Sequence, residues 1–534
     1  MAKRASFAIE EHRDIETPGA DGTTLLSDRY SPITDQPRPT FLLRTPYGAS
    51  APIRLQYGKR MAKRGYHAII QRCRGTFGSS GAFAPMVNEV ADGQATVAWL
   101  REQPWFSGRL VTAGASYLGF VQWALGVDPP PELVAQVIEI APHDFATFTR
   151  PEGSFRLRTG LSWADQVTHQ EDHTGIRQLI ASHLLQQRRL RPAFDALPLG
   201  SAYRAHTKAT IPFYESWMEP DLAGQAAAMD LSAVLDRPGP ARLIIGGWND
   251  IFAAQTIASY VRQRSAGTHV SLLMGSWTHL GYALGSRDAI PAMLRWLGQH
   301  VDGPCAEEHG VRVRVGGTKG WRRLPAWPPT TEPLTLWLAP HSALVHTAPS
   351  AAANATTFTY DPRDPTPDVG GPVLALRDGP RDTRPLLERA DVASFTSDLL
   401  SQDTEVHGEV VVMLQVTTSS PHADVFVRLC DVASTGRAMH VTDGFVRLTD
   451  ADAPADDGSR SVRLTLTPTA HRFAAGHRLR VLVCGAAHPR YARNLGSGEP
   501  LAAGTHPQRV EYVVHHDAAR PAVVRLPVAT GLAP

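Results

Sequence analysis

The chain is short of cysteine, of long apolar runs and of surplus charge, and each shortage removes a class of function. Four of its 534 residues are cysteine, namely Cys73, Cys305, Cys430 and Cys484, far apart and without a CxxC pair. Four separate buried or half-buried thiols fit a reducing compartment better than a disulfide framework. No stretch reaches the roughly 18 consecutive apolar residues of a membrane span. The opening MAKRASFAIEEHRDIE gains acidic residues before any apolar stretch of signal-peptide length. These absences predict a cytoplasmic protein with no membrane partner. Lys and Arg total 53 against 51 Asp and Glu, a formal charge of +2, and the two signs are interspersed. Without a polybasic run, nucleic acid is not an expected partner. A small neutral or mildly charged substrate is.

What is present is ample core material, with 43% hydrophobic residues, so no metal or disulfide is needed to explain folding. In residues 1–144, TFLLRTPYG and HAIIQRCRG read as strands. EVADGQATVAWLREQPW carries Val90, Val97 and Leu100, with Ala95 and Trp99, at helical spacing. Strands alternating with such helices predict a parallel sheet covered on both faces. Residues 145–235 hold helix-compatible stretches such as GIRQLIASHLLQQRRLRPAF and read as a helical cap inserted in that fold. The α/β pattern resumes over 236–328 with ARLIIGGWND and HVSLLMGSWTH. A Pro-rich segment at Ala326–Pro333 then introduces residues 329–534. There, strand-like runs such as EVVVMLQVTTS and HRLRVLVCG alternate with Asp, Gly, Pro and Ser turns, as in a β-sandwich.

The chemistry centres on Gly114-Ala115-Ser116-Tyr117-Leu118-Gly119. A serine between an apolar strand and a helix, flanked by small residues, has the form of a nucleophile elbow, although Leu118 stands where the second glycine of G-x-S-x-G belongs. The turn would raise the hydroxyl at the sheet's carboxyl edge. The helix N-terminus would offer the Tyr117 N–H to an oxyanion. Asp250 closes the strand in LIIGGWND and His279 follows the strand in LLMGSWTH. The order Ser…Asp…His is that of an α/β-hydrolase, and both partners lie just past strand ends, where functional groups of open parallel sheets collect. His279 would take the Ser116 proton while Asp250 holds its Nδ1–H. Taken singly, Asp250 reads equally well as a turn cap and His279 as a packed histidine.

The chain resembles the cocaine esterase and X-Pro dipeptidyl-peptidase family of serine hydrolases. RTPYG, RGTFGSSGAF, GASYLGFVQW, GGWNDIF and GSWTH carry the likeness in the first part, and YDPRDPTP, SSPHADVFVRLCDV and HPRYARN in the last. The resemblance implies an α/β-hydrolase core, a helical cap and a C-terminal jelly roll. It implies Ser116, Asp250 and His279 as catalytic triad, with an oxyanion hole from the Tyr117 N–H and the Tyr47 hydroxyl. It implies no cofactor, and a homo-oligomer as assembly. The activity implied is hydrolysis of a small ester or amide, foremost as a carboxylesterase. An acyltransferase on the same triad and an X-Pro dipeptidyl-peptidase-type peptidase stand as alternatives. Amino-acid ester hydrolases of this family hold a substrate ammonium with carboxylates shortly after the catalytic aspartate. Here Ile251, Phe252, Ala253 and Ala254 follow, which argues against amino-acyl substrates. Phe252, Trp163, Phe213 and Trp217 are candidate walls of an acyl pocket.

Three other signals are set aside. His169-Gln170-Glu171-Asp172-His173 spaces two histidines at i and i+4 but reads as a solvated helix face, so no metal is expected. His515 and His516 are neighbours on a strand and point to opposite faces. The glycine-rich run Gly75–Gly81 lacks the Lys-Ser/Thr end of a phosphate loop and reads as structural.

Overall fold

The computed structural model describes residues 6–172, 176–283, 287–301, 310–375 and 379–530. Ten strands build one sheet: β1 (Ile9–Pro18), β2 (Thr24–Pro32), β3 (Arg38–Thr45), β4 (His67–Arg72), β5 (Phe106–Ala115), β6 (Leu133–Glu139), β7 (Ala241–Asn249), β8 (Val270–Thr278), β9 (Val311–Arg314) and β10 (Trp321–Leu324). Their spatial order is β1-β2-β4-β3-β5-β6-β7-β8-β9-β10. Pairing is parallel from β4 through β9 and antiparallel for β1–β2, β2–β4 and β9–β10. This is an α/β-hydrolase sheet.

The strands are apolar on both faces because both are covered. In β3, Phe41 and Leu43 join one core cluster, while Leu42, pointing the other way, joins a second with Val97 and Leu100 of helix Glu89–Arg101. Every residue of β4 is buried, as befits a central strand. β1 and β2 were absent from the alternating pattern read in the sequence. β1 is mostly exposed and rich in charge, IEEHRDIETP, which protects an edge strand from further pairing but hides the apolar alternation.

Between β6 and β7 the chain is helical, with helices Phe145–Thr149, Leu157–Thr168, Ile176–Asp195, Leu199–Thr207 and Pro212–Ser216. Beyond β10, thirteen further strands, from β11 (Thr331–Ala339) to β23 (Val523–Ala529), form the C-terminal β-sandwich. Its alternation is clear in Val411–Thr418, where Val412, Leu414 and Val416 are buried. The expected loss of helix past residue 330 has one exception among the described residues, a 3-10 turn at Arg384–Glu388. Cys73, Cys430 and Cys484 are buried free thiols. Cys305 lies outside the described residues.

The sandwich is tied to the helical segment through the HPRYARN stretch. Ala492 N–H donates to Phe155 O at 2.8 Å and Arg158 N–H to Pro489 O at 2.9 Å, and His488 Nε2 meets Asp195 Oδ1 at 3.0 Å. That seat carries the loop around Leu374 to the carboxyl edge of the hydrolase sheet, where Leu374 lines the same cavities as Ser116.

Candidate active site

β5 ends at Ala115, and Ser116 adopts φ 59 and ψ −122 before helix Tyr117–Leu125 begins. A non-glycine residue there is strained by about 1–3 kcal/mol and persists only if its neighbours enforce it. They do. Ser116 N–H donates to Glu139 O at 2.9 Å, and Ser116 O accepts from the N–H groups of Gly119 and Phe120 at 2.9 and 3.1 Å. The departure from G-x-S-x-G also has a steric account. A Cβ on Gly114 would come within 2.5 Å of Leu118 Cβ, so the first glycine makes room for the leucine. A Cβ on Gly119 would lie 2.3 Å from Ala141 Cβ, so the glycine is required one position later, where helix and β6 turn meet.

Asp250 follows β7, and its Oδ1 accepts the Phe252 N–H at 2.7 Å. Its Oδ2 lies 2.6 Å from His279 Nδ1, and His279 Nε2 lies 3.0 Å from Ser116 Oγ. Asp250 and His279 are both buried. With Nδ1–H donating to the carboxylate, Nε2 is the acceptor facing the serine hydroxyl. The structure thus brings together three side chains separated by up to 163 positions.

Both tyrosines flank this line. The Tyr117 phenol points away from Ser116, donating to Glu89 Oε1 at 2.7 Å and accepting from Met86 N–H at 3.0 Å. Glu89 Oε2 is 3.0 Å from Arg44 Nη2, both side chains buried. This pair anchors the ring and with it the backbone N–H that opens the helix. Burial holds the Tyr117 pKa well above that of a free phenol. The Tyr47 hydroxyl accepts from Trp163 Nε1–H at 3.0 Å and lines the same cavities as Ser116. Burial pushes its pKa up to about 12, so it stays a proton donor. Gln170 Nε2–H fixes the turn by donating to Pro46 O at 2.8 Å.

Two cavities open from Ser116. The first is aromatic, walled by Trp163, Trp217, Phe252, Phe145 and Phe148, with Arg156 at its edge. Three of the four wall candidates are there. Phe213 does not line it; its ring lies 6.1 Å from that of Trp163 and 5.4 Å from that of Trp217. Arg156 donates from Nε to Phe148 O at 2.8 Å, stacks on the Phe148 and Tyr491 rings, and has no carboxylate partner among the described residues. The second cavity, of about 310 Å³, is lined by Tyr57, Leu280, Tyr282, Ile290 and Glu139. Sequence reading missed Glu89, Arg156, Glu139 and Leu374, none of which stands in a spacing pattern that marks chemistry. His169 ends helix Leu157–Thr168, so the HQEDH run is not one helix face, and Glu171 Oε1 accepts the Phe77 N–H at 3.0 Å. His173 lies outside the described residues. No group of metal-ligating side chains occurs among the described residues, and no described helix is long and apolar enough to cross a membrane.

Comparison with known proteins adds the family. Residues 21–281 match the X-Pro dipeptidyl-peptidase (S15 family) domain, and residues 305–525 match the X-Pro dipeptidyl-peptidase C-terminal non-catalytic domain. Cocaine esterase from Rhodococcus sp. (strain MB1 Bresler) is 27% identical over 552 residues, covering 92% of this chain and 93% of its own. The chain belongs to this family of hydrolases. An α-amino acid ester hydrolase shares the fold with a TM-score of 0.80 at 21% identity, over 99% of this chain and 98% of its own. A CocE/NonD family hydrolase from Staphylococcus aureus does so with a TM-score of 0.68 at 16% identity, over 98% and 94%.

Proposed function

We propose that the protein is a serine carboxylesterase acting on a small ester, with Ser116, His279 and Asp250 as its catalytic triad. The observation that carries this reading is the hydrogen-bonded line from Asp250 through His279 to a strained, raised Ser116, at 2.6 and 3.0 Å. Ser116 Oγ attacks the ester carbonyl as His279 Nε2 takes its proton, and Asp250 stabilises the imidazolium. The oxyanion rests against the Tyr47 hydroxyl and the Tyr117 N–H. As the tetrahedral centre collapses, the carbon–oxygen bond to the alcohol breaks and His279 returns the proton to the departing oxygen. Water then repeats the sequence on the acyl-enzyme, releasing the acid and restoring the serine.

The aromatic cavity suits the acyl group, and Arg156, the one Lys, Arg, Asp or Glu among its described lining residues, is a cation. An acyl group bearing an ammonium would meet like charge there and no carboxylate after Asp250. This favours simple acyl esters over amino-acyl esters and X-Pro peptides. The test is labelling by a fluorophosphonate probe together with hydrolysis of aryl and alkyl esters. Ser116→Ala should lose labelling and lower turnover on the order of 10³–10⁶-fold. Labelling that survived in Ser116→Ala would refute the assignment. Product analysis with a competing alcohol or amine separates hydrolysis from acyl transfer.

A further inference from the structure

The aromatic cavity at Ser116 has a polar corner that the triad does not use. Arg156 and Thr149 both line it. The two are neighbours in space, since Arg156 N–H donates to Thr149 O at 3.0 Å. The guanidinium lies over the Phe148 and Tyr491 rings and donates from Nε to Phe148 O at 2.8 Å, and among the described residues no carboxylate pairs with it. Thr149 is 2% exposed, and its hydroxyl oxygen is buried without a hydrogen-bond partner among the described residues. A cation without a counter-charge and a buried hydroxyl without a partner are two separate penalties. One anionic ligand removes both.

The surroundings do not supply the missing charge. The acids that act on Arg156 and on Arg158, two residues further along the cap, are Asp443 and Asp368. Asp443 is already taken by Arg490, at 2.7 and 2.6 Å, and by His440 at 2.9 Å. Asp368 accepts from Arg428 Nη2 at 2.9 Å. Arg158 brings a further positive charge to this seam, and its buried Nε has no partner among the described residues. The two carboxylates are matched by Arg428 and Arg490, which leaves the cap arginines in excess. Burial lowers the Arg156 pKa, and the like charge of Arg490 acts in the same direction.

We propose that this corner binds a carboxylate, so that the preferred substrates are esters bearing a free carboxylate, held by Arg156 and Thr149 while Ser116 attacks the ester carbonyl. A guanidinium offers its N–H donors in a fork that matches the two oxygens of a carboxylate. The Thr149 hydroxyl is a further donor, and the aromatic walls cover the carbon chain between carboxylate and ester. The inference rests on the esterase reading and names its substrate class. The same corner accounts for the exclusion of ammonium.

The experiment uses two ester series that carry the carboxylate on opposite halves of the molecule. In the first, the monoethyl esters of succinic, glutaric and adipic acid are each compared with the ethyl ester whose free acid is replaced by a primary amide. In the second, 4-acetoxybutyrate is compared with 4-acetoxybutanamide. Acid and amide have nearly the same shape, so their ratio in kcat/KM reads the charge and cancels losses common to both. Wild type should prefer the acid on the order of 10- to 100-fold in one series, the range of a charge-assisted hydrogen bond, and that series shows which half of the ester enters the corner. Arg156→Gln should bring the ratio near unity, Arg156→Lys should keep part of it, and Thr149→Val should lower it about threefold or more. If Arg156→Gln fails to fold, Arg156→Met, which keeps an unbranched stem between the two rings, takes its place with the same expectation. Ratios near unity in both series of the wild type, or a preference that loss of the Arg156 charge leaves unchanged, overturn the inference and leave the esterase intact. If no ester turns over and the fluorophosphonate fails to label Ser116, the esterase reading falls and takes this one with it.

Discussion

Tyr47→Phe isolates a single hydroxyl whose surroundings are fully defined. Trp163 donates to its oxygen at 3.0 Å, and the residue lines the same cavities as Ser116. Phenylalanine keeps the ring and removes the donor. Loss of one oxyanion donor costs about 2.7–4 kcal/mol in the transition state. At 1.36 kcal/mol per tenfold, kcat should fall about 10²–10³-fold. KM should change little, because the oxygen it serves is charged only in the transition state. The variant also strands the Trp163 N–H, a cost of about 1–3 kcal/mol in stability, so urea denaturation must accompany the kinetics. Since burial holds the wild-type hydroxyl protonated up to about pH 12, its donor function should persist through the alkaline range. Stopped-flow or steady-state hydrolysis of an aryl ester measures the effect. A folded Tyr47→Phe with kcat within about threefold of wild type would refute the oxyanion role.

Other consequences follow from the same geometry. Glu89→Gln leaves the Arg44 guanidinium buried without its charge partner, and stability should drop by about 3–5 kcal/mol, read as a lower urea midpoint. Since Glu89 also anchors the Tyr117 phenol, any protein that remains folded should lose kcat more than KM. An α-amino acyl ester should be hydrolysed at least about tenfold less efficiently than its deaminated counterpart, because its ammonium faces Arg156 in a poorly solvated pocket. Equal rates would remove Arg156 from the acyl side.

The legible parts of the sequence were those in which local chemistry and periodicity agree. Buried parallel strands such as HAIIQR announce themselves by continuous apolar character. The serine, aspartate and histidine each stand at the end of such a strand, and that context let three distant residues be grouped before any distance was known. β1 was hidden because an edge strand carries charge on the face that solvent reaches. Phe213 packs on Trp163 and Trp217 without lining the cavity itself, and helical spacing alone does not tell a wall from its support.

Composition and pattern were enough to determine the α/β-hydrolase class, the helical insertion, the β-rich C-terminal part and the order of the chemical groups, because these depend on residues close together in the chain. What the tertiary structure alone decided is which isolated groups share a space. Glu89 meets Arg44 and Tyr117, Arg156 borders an aromatic cavity, Leu374 arrives from the sandwich, and Glu139 borders Ser116's second cavity. A charged side chain takes its meaning from its burial and its nearest partner, and neither is a property of the residues next to it in sequence.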